Sequence, residues 1–311
     1  MKAVRFHQLG GPEVLRVDEV EIPEPGAGQV RIRVAGAGFN PADGGIRGGT
    51  LPFPVALPHV PGYDVAGTLD ALGAGVDGLA VGDAVVGFLS MTDDGADAEY
   101  AIAPAELLVR APRAAALADA AALPSVALTA WQALFELGEL ARGQRILIVG
   151  AGGTVGGYAV QLAKNAGAFV IATASARSRA QVTDAGADQI IDHADESLIA
   201  EIFEPVDLLL NLAPIEPAEF EAAVALVRDG GVVVSTTVWM PTPGDASREV
   251  RGATVFVRSD PAQLAHLVSL VDAGELRLAD SRKVGLGEVA AVHAEAAAGT
   301  LRGKVVVVPA S

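Results

Sequence analysis

Arg145-Ile146-Leu147-Ile148-Val149-Gly150-Ala151-Gly152-Gly153-Thr154-Val155-Gly156-Gly157 is the stretch on which the fold turns. Its first five residues form a short, almost wholly apolar run, as expected of a strand buried on both faces of a parallel sheet. A glycine-rich turn follows. Ala159, Leu162, Ala163 and Ala166 then recur along one face of a helix that runs to about Asn165. Strand, glycine turn and helix in that order are the context a dinucleotide fingerprint requires. A pyrophosphate binds to free backbone N–H groups at a helix N-terminus, and side chains there would hold it off. Read in register, the turn is Ala151-x-Gly153-x-x-Gly156, with Ala where the first Gly usually stands. Gly153 would admit the pyrophosphate and Gly156 would let helix and strand pack closely. The residues expected at the cofactor are therefore Ala151, Gly152, Gly153, Thr154, Val155 and Gly156. The other reading is a tight strand-to-helix turn with no ligand.

The chain on either side favours the first reading. Downstream, apolar runs at 169–173, 190–191, 206–211, 232–236 and 254–257 mostly alternate with helical stretches. That alternation predicts a doubly wound parallel sheet covered on both faces. Upstream, short strands at 29–35, 64–69 and 84–88 are separated by Pro25-Gly26, Gly73-Ala74-Gly75 and Gly82-Asp83. These predict an antiparallel β-rich domain, a partly closed barrel. Between the two regions, residues 117–140 read as helical, interrupted at Pro124. The tail has a helix over 262–273, an Ala-rich helix after Gly285-Leu286-Gly287, and a closing strand at 305–308 expected to rejoin the first domain. The expected class is α/β, with a β-rich domain over 1–118 completed by 259–311 and a dinucleotide-binding domain over 119–258.

Composition narrows the chemistry. The 311 residues suit two domains, and 51% are hydrophobic. A formal net charge of −16 repels phosphate backbones, so nucleic acid is not an expected partner. Cysteine is absent, which removes disulfides, thiolate nucleophiles and thiolate metal sites. Met1-Lys2-Ala3-Val4-Arg5-Phe6 has no apolar signal core, and the longest apolar region, 114–130, is broken by Asp119 and Pro124. No segment reads as a membrane span, and a cytoplasmic location is expected.

The end of the second parallel strand selects the cofactor. NAD sites usually carry Asp or Glu there for the ribose 2′-hydroxyl. Here the chain reads Thr173-Ala174-Ser175-Ala176-Arg177-Ser178-Arg179, without a carboxylate. Hydroxyls and guanidinium groups suit a 2′-phosphate, so NADP(H) is expected. A solvated helix start would show the same composition.

Several motifs, taken in order, resemble the medium-chain dehydrogenase/reductase superfamily in its zinc-free quinone oxidoreductase group, the zeta-crystallin-like branch. They are Asn40-Pro41-Ala42-Asp43, Val60-Pro61-Gly62-Tyr63-Asp64-Val65-Ala66-Gly67, Val81-Gly82-Asp83-Ala84-Val85, Ala98-Glu99-Tyr100, Leu128-Thr129-Ala130-Trp131-Gln132-Ala133-Leu134, Ala159-Val160-Gln161-Leu162-Ala163-Lys164, Gly186-Ala187-Asp188 and Arg302-Gly303-Lys304. The resemblance implies a GroES-like domain with a Rossmann domain inserted, an active site between them, and a homodimer paired through residues 251–257. It also implies a 2′-phosphate site at Ser175 and Arg179 and cofactor contacts at Arg302 and Lys304. Asn40 and Thr129 match positions beside the nicotinamide, though Asn40 also suits a cap and Thr129 an ordinary helix position. His193 stands where relatives often carry Tyr, and a surface loop His fits it equally.

Zinc-dependent relatives carry Gly-His-Glu where this chain has Gly62-Tyr63-Asp64. With no Cys and only His59 nearby, no metal is expected. Without a Lewis acid, hydride addition to a conjugated acceptor is easier than reduction of an isolated ketone, because the charge spreads into an enolate or quinol. The expected activity is hydride transfer from NADPH to a quinone or α,β-unsaturated carbonyl. The alternatives are a carbonyl or enoyl-thioester reductase, and a low-turnover NADPH-binding sensor or structural protein. Tyr63 is a candidate proton donor or a wall of the pocket. Arg47 reads more readily as solvated than as lining the entrance. Phe53, Phe88 and Trp239 suggest an apolar, aromatic ligand.

Overall fold

The computed structural model describes residues 1–192 and 202–309. The chain divides into two compact units, Met1–Ser125 with Ser259–Ser311, and Val126–Arg258.

In the first unit, β1 (Lys2–Phe6) pairs antiparallel with β2 (Leu15–Glu19). The long β3 (Gln29–Phe39) buries Val30, Ile32 and Val34 in strict alternation, the period of a strand with one face on the core. The short helix α1 (Pro41–Arg47) follows it directly. Next come β4 (Asp64–Leu72), β5 (Ala84–Phe88), β6 (Tyr100–Pro104) and β7 (Leu108–Arg110). β3 pairs antiparallel with both β4 and β6, and β4 with β5. Gly38 stands opposite Asp64 in this register, which brings Asp64 beside the start of α1.

The expected helix over 117–140 is three pieces. Leu117–Ala122 is a 3-10 turn, α2 spans Pro124–Trp131, and Gln132–Leu137 is π-helical. The first piece packs on β3 and β4, because Gly36 clears the space; a Cβ there would stand 2.6 Å from the Ala118 carbonyl oxygen. The division between units consequently falls after Ser125 rather than at 118.

The second unit continues with β8 (Arg145–Val149), α3 (Thr154–Asn165), β9 (Phe169–Ala174), α4 (Arg179–Asp184), β10 (Gln189–Asp192), β11 (Val206–Asn211), α5 (Pro217–Val224), β12 (Val227–Ser235) and β13 (Arg251–Thr254). Among the described residues these strands form one parallel sheet in the order β10-β9-β8-β11-β12-β13. Counted within the unit, that is 3-2-1-4-5-6, the doubly wound order whose ligand crevice opens where it reverses, between β8 and β11. The last strand begins earlier than the expected 254–257. Val232 to Ser235 of β12 register against Arg251 to Thr254, and Phe256 lies beyond the pairing, 69% exposed.

The chain then returns to the first unit through α6 (Pro261–Asp272), β14 (Ser281–Val284), α7 (Val289–Ala297) and β15 (Lys304–Val307). β15 lies antiparallel to β3, with Val305 opposite Phe39 and Val307 opposite Ala37. Continuing that register sets Lys304 beside Asn40.

Candidate functional site

The glycine turn leaves β8 at the reversal of strand order. Gly150 takes φ +84°, and its N–H donates to Thr173 Oγ1 at 2.9 Å. Ala151 is fully buried, its N–H bonded to the Thr173 carbonyl at 3.2 Å. This explains the departure from the usual spelling. Gly150 makes the turn that needs positive φ, so the next position tolerates Ala. A Cβ at Gly156 would stand 2.5 Å from Ala151 O and 2.6 Å from its Cα, so this glycine is what lets α3 seat on the turn. Gly153 caps α3 and is exposed; the nearest atom to a Cβ there would be Gly150 O, at 3.5 Å. Thr154 and Val155 open the helix half-buried. The first amides of a helix have no partner within it, so the cradle presents donors to an anion.

Ser175 and Ser178 close a small turn at the end of β9, their hydroxyls 3.1 Å apart, and Arg179 starts α4 with its N–H on Ser175 O at 3.0 Å. Ser178 adjoins the cradle, since a Cβ on Gly152 would come within 2.6 Å of Ser178 Cβ. Arg177 and Arg179 are exposed. The structure thus brings together Gly152, Ser175, Ser178 and the start of α4. Residue 193 lies outside the described residues, so the expected contact at His193 has no structural counterpart. Thr129 is half-buried on α2.

Sequence reasoning took Ser178 only as part of the stretch over 173–179 and passed over Asn211, Ser235 and Thr237. Asn211 Nδ2 donates to Ser235 Oγ at 3.3 Å, and Ser235 Oγ is 2.6 Å from Thr237 Oγ1. They cluster at the carboxyl ends of β11 and β12. The available signal was a polar residue closing an apolar strand, at the end where doubly wound sheets bind ligands.

In the first unit, Asn40 is half-buried at the N-terminus of α1, where its N–H donates to Asp43 Oδ2 at 2.7 Å. Asp43 Oδ1 accepts the N–H of Gly62 at 2.8 Å. Burial pushes the Asp43 carboxyl up to about 7, against the pull of those two N–H donors. Asp97 lies across Gly62, and burial together with the Asp43 charge raises it well above the usual range.

Lys304 is inside the protein, 3% exposed. Its ammonium donates to Phe39 O at 3.1 Å, Asn40 Oδ1 at 2.7 Å and Asp64 Oδ2 at 3.2 Å. Arg302, two residues earlier, is exposed and donates to the carbonyls of Gly299 and Leu301 in its own loop. Both belong to the unit that does not contain the glycine turn.

Tyr63 is 2% exposed, and its hydroxyl is 2.9 Å from His59 Nε2. His59 Nδ1 lies 3.6 Å from Asp94 Oδ1. Burial lowers the His59 pKa and raises that of Tyr63. The one polar atom of this phenol is engaged with His59.

Arg47 corrects an expectation. It is buried, with Nε donating to His293 Nδ1 at 3.2 Å and Nη1 to Gly10 O, because α1 packs against α7. Phe88 is likewise a buried β5 residue rather than an open pocket wall, whereas Phe53 is half-buried and Trp239 is 71% exposed.

Residues 26–113 match a family model described as the alcohol dehydrogenase GroES-like domain, and residues 185–307 one described as zinc-binding dehydrogenase. The chloroplastic quinone-oxidoreductase QR1 of Triphysaria versicolor is 32% identical over 327 residues, covering 99% of this chain and 98% of its own. A chloroplastic quinone-oxidoreductase homolog of Spinacia oleracea is 40% identical over 201 residues. That match spans 62% of this chain and 61% of the spinach protein's length. Among solved structures, the quinone oxidoreductase from Coxiella burnetii superposes with a TM-score of 0.88 at 31% identity, over 99% of this chain and 98% of that one. The chain belongs to the medium-chain dehydrogenase/reductase superfamily, in its zinc-free quinone oxidoreductase group. Membership implies a nicotinamide cofactor, and the cradle of the second unit fits one.

Zinc, named in one family description, does not fit the residues. The sequence has no Cys, and among the described residues no group of three His, Asp or Glu side chains is placed to hold an ion. Among them, too, no helix is long and apolar enough to cross a membrane.

Proposed function

We propose that the protein is a zinc-independent, NADPH-dependent oxidoreductase that reduces a quinone or an α,β-unsaturated carbonyl compound. The observation that carries this reading is the cradle itself. Gly152 adjoins Ser178, one of a hydroxyl pair at the end of β9, and the stretch from Thr173 to Arg179 carries two arginines and no carboxylate. The amides from Thr154 to Gly156 hold the pyrophosphate, which Gly153 admits by lacking a side chain, and Ser175, Ser178 and Arg179 receive the 2′-phosphate. On the resemblance, Asn40 and Thr129 are each assigned to the nicotinamide end of the cofactor.

When bound, NADPH supplies a hydride to the β-carbon of an enone or to a quinone, and one proton from water completes the reduction. The protein's share is placement and exclusion of competing geometries. Asp43 holds Asn40 and Gly62 in fixed relation through two backbone N–H bonds. Tyr63 acts as a wall tied back to His59 rather than as the proton donor, because its hydroxyl is already engaged. Conjugated acceptors suit such a site, since they disperse negative charge without a cation.

We also propose a homodimer through the outer edge of β13. That strand pairs only with β12 among the described residues, and Trp239 and Phe256 are large exposed apolar residues of the same unit.

NADPH oxidation measured against quinones, enones, enals, simple ketones and enoyl thioesters tests the reading. Turnover with quinones or enones is expected, with little on isolated ketones. Turnover confined to thioesters, or tight NADPH binding with no turnover on any acceptor, would overturn it.

A further inference from the structure

The buried polar group around Asn40 permits one orientation of its amide, and that orientation limits what Asn40 can recognise. Lys304 has only donors, so the atom facing its ammonium at 2.7 Å must be Oδ1. Asp64 is fully buried and accepts from the N–H and the hydroxyl of Ser125, each at 2.8 Å. The Asn40 atom 2.8 Å from Asp64 Oδ2 must therefore be Nδ2. Its second N–H goes to Gly38 O at 3.2 Å. Both amide protons of Asn40 are thus committed inside the unit. One lone pair of Oδ1 is taken by Lys304 and the other is left over. Gly38 makes the arrangement possible, because a Cβ there would stand 2.9 Å from Asp64 Cβ and 3.1 Å from Lys304 Nζ.

We infer that Lys304 and Asp64 are positioning residues that lock Asn40 as an acceptor only, so that it selects a hydroxyl or amide N–H donor on its ligand. Asn40 does not stabilise a developing oxyanion, since a proton given to the substrate would be taken from Asp64. Resting on the reading of Asn40 as a nicotinamide-side residue, this assigns it to the donors at that end of NADPH, a ribose hydroxyl or the carboxamide N–H. The acceptor's carbonyl is then polarised elsewhere.

A charge relocation tests the inference. Asn40→Asp keeps the shape but sets a carboxylate oxygen against Asp64 Oδ2. Asn40→Asp with Asp64→Asn moves the single negative charge along the pair and restores a complementary N–H between the two side chains, while the Gly38 carbonyl loses its donor and Lys304 loses one acceptor. NADPH affinity by fluorescence titration, kcat and KM from pH 5 to 8, and melting temperature are read for both. The single variant is expected to lose at least about tenfold in kcat/KM at pH 8 and to recover part of it toward pH 5, where an acid proton replaces the lost N–H. The double variant is expected to recover part of that loss at pH 8, the contacts to Gly38 and from Lys304 to position 64 staying broken. Lys304→Met, which frees Oδ1, is expected to raise KM for NADPH more than it lowers kcat. A folded single variant with unchanged affinity and a flat pH profile would overturn the inference, as would a folded double variant no better than the single one. Wild-type protein that fails to bind NADPH defeats the underlying reading instead, before any variant is compared.

Discussion

Tyr63 shows what a side chain's surroundings add to its identity. As a phenol in the place of a metal ligand it invites a chemical role, but burial and the His59 contact give it a structural one. Tyr63→Phe is expected to keep kcat within about twofold while lowering stability by about 1–3 kcal/mol, the usual penalty for stranding a buried polar partner. Stopped-flow turnover and chemical denaturation check the two halves separately, and a large fall in kcat with stability intact would restore the donor role. Gly156 was legible in the sequence because the close seat of α3 on the turn leaves no room for a side chain there. Lys304 was not. Its partners Asn40 and Asp64 lie far away in the chain, and nothing local marks a lysine as buried.

The strand–turn–helix element was the most legible part of the fold, since apolar run, glycines and helical spacing follow without interruption. Elements that depend on partners were read less well. The edge strand β13 was placed late because its start is set by register against β12. The helical region over 117–140 was read as interrupted once, yet it is 3-10, α and π in turn, and its first piece is held by space that Gly36 clears in a distant strand. Ser178 reaches the cradle only because β9 and β8 are neighbours. Gly152→Ala tests that link. The added Cβ would press on Ser178, so KM for NADPH is expected to rise at least about tenfold with kcat nearly unchanged, as expected for lost uniform binding. Steady-state kinetics at saturating acceptor would show it, and an unchanged KM would separate Ser178 from the cofactor.

At the scale of the whole molecule, the interleaved order of the two units was legible from changes of texture and from a closing strand that matches β3. The buried titratable groups were not, and they set the response to pH. Asp43 is raised to about 7 by burial, and Asp97 is raised by burial and by Asp43. Their protonated forms fit the fold, so the stability they contribute is full below the unfolded carboxylate value near 4; the Asp43 part is lost as pH rises through about 7, and the Asp97 part is lost in the same direction. His293 is lowered to about 3 by burial and by Arg47, so its contribution is full above about 6.5 and is lost as pH falls toward 3. Calorimetric melting of Asp97→Asn against wild type is expected to show a stabilisation that grows from pH 5 to pH 8; a difference independent of pH would contradict it. In the second unit, the proposed grip of the glycine turn and residues 175–179 on NADPH underlies the whole functional assignment. Calorimetric titration of NADPH and NADH into wild type and Arg179→Ala measures that grip. NADPH is expected to bind at least about tenfold tighter than NADH, with that preference largely lost in the variant; equal affinities in wild type, or tighter NADH, would overturn the assignment.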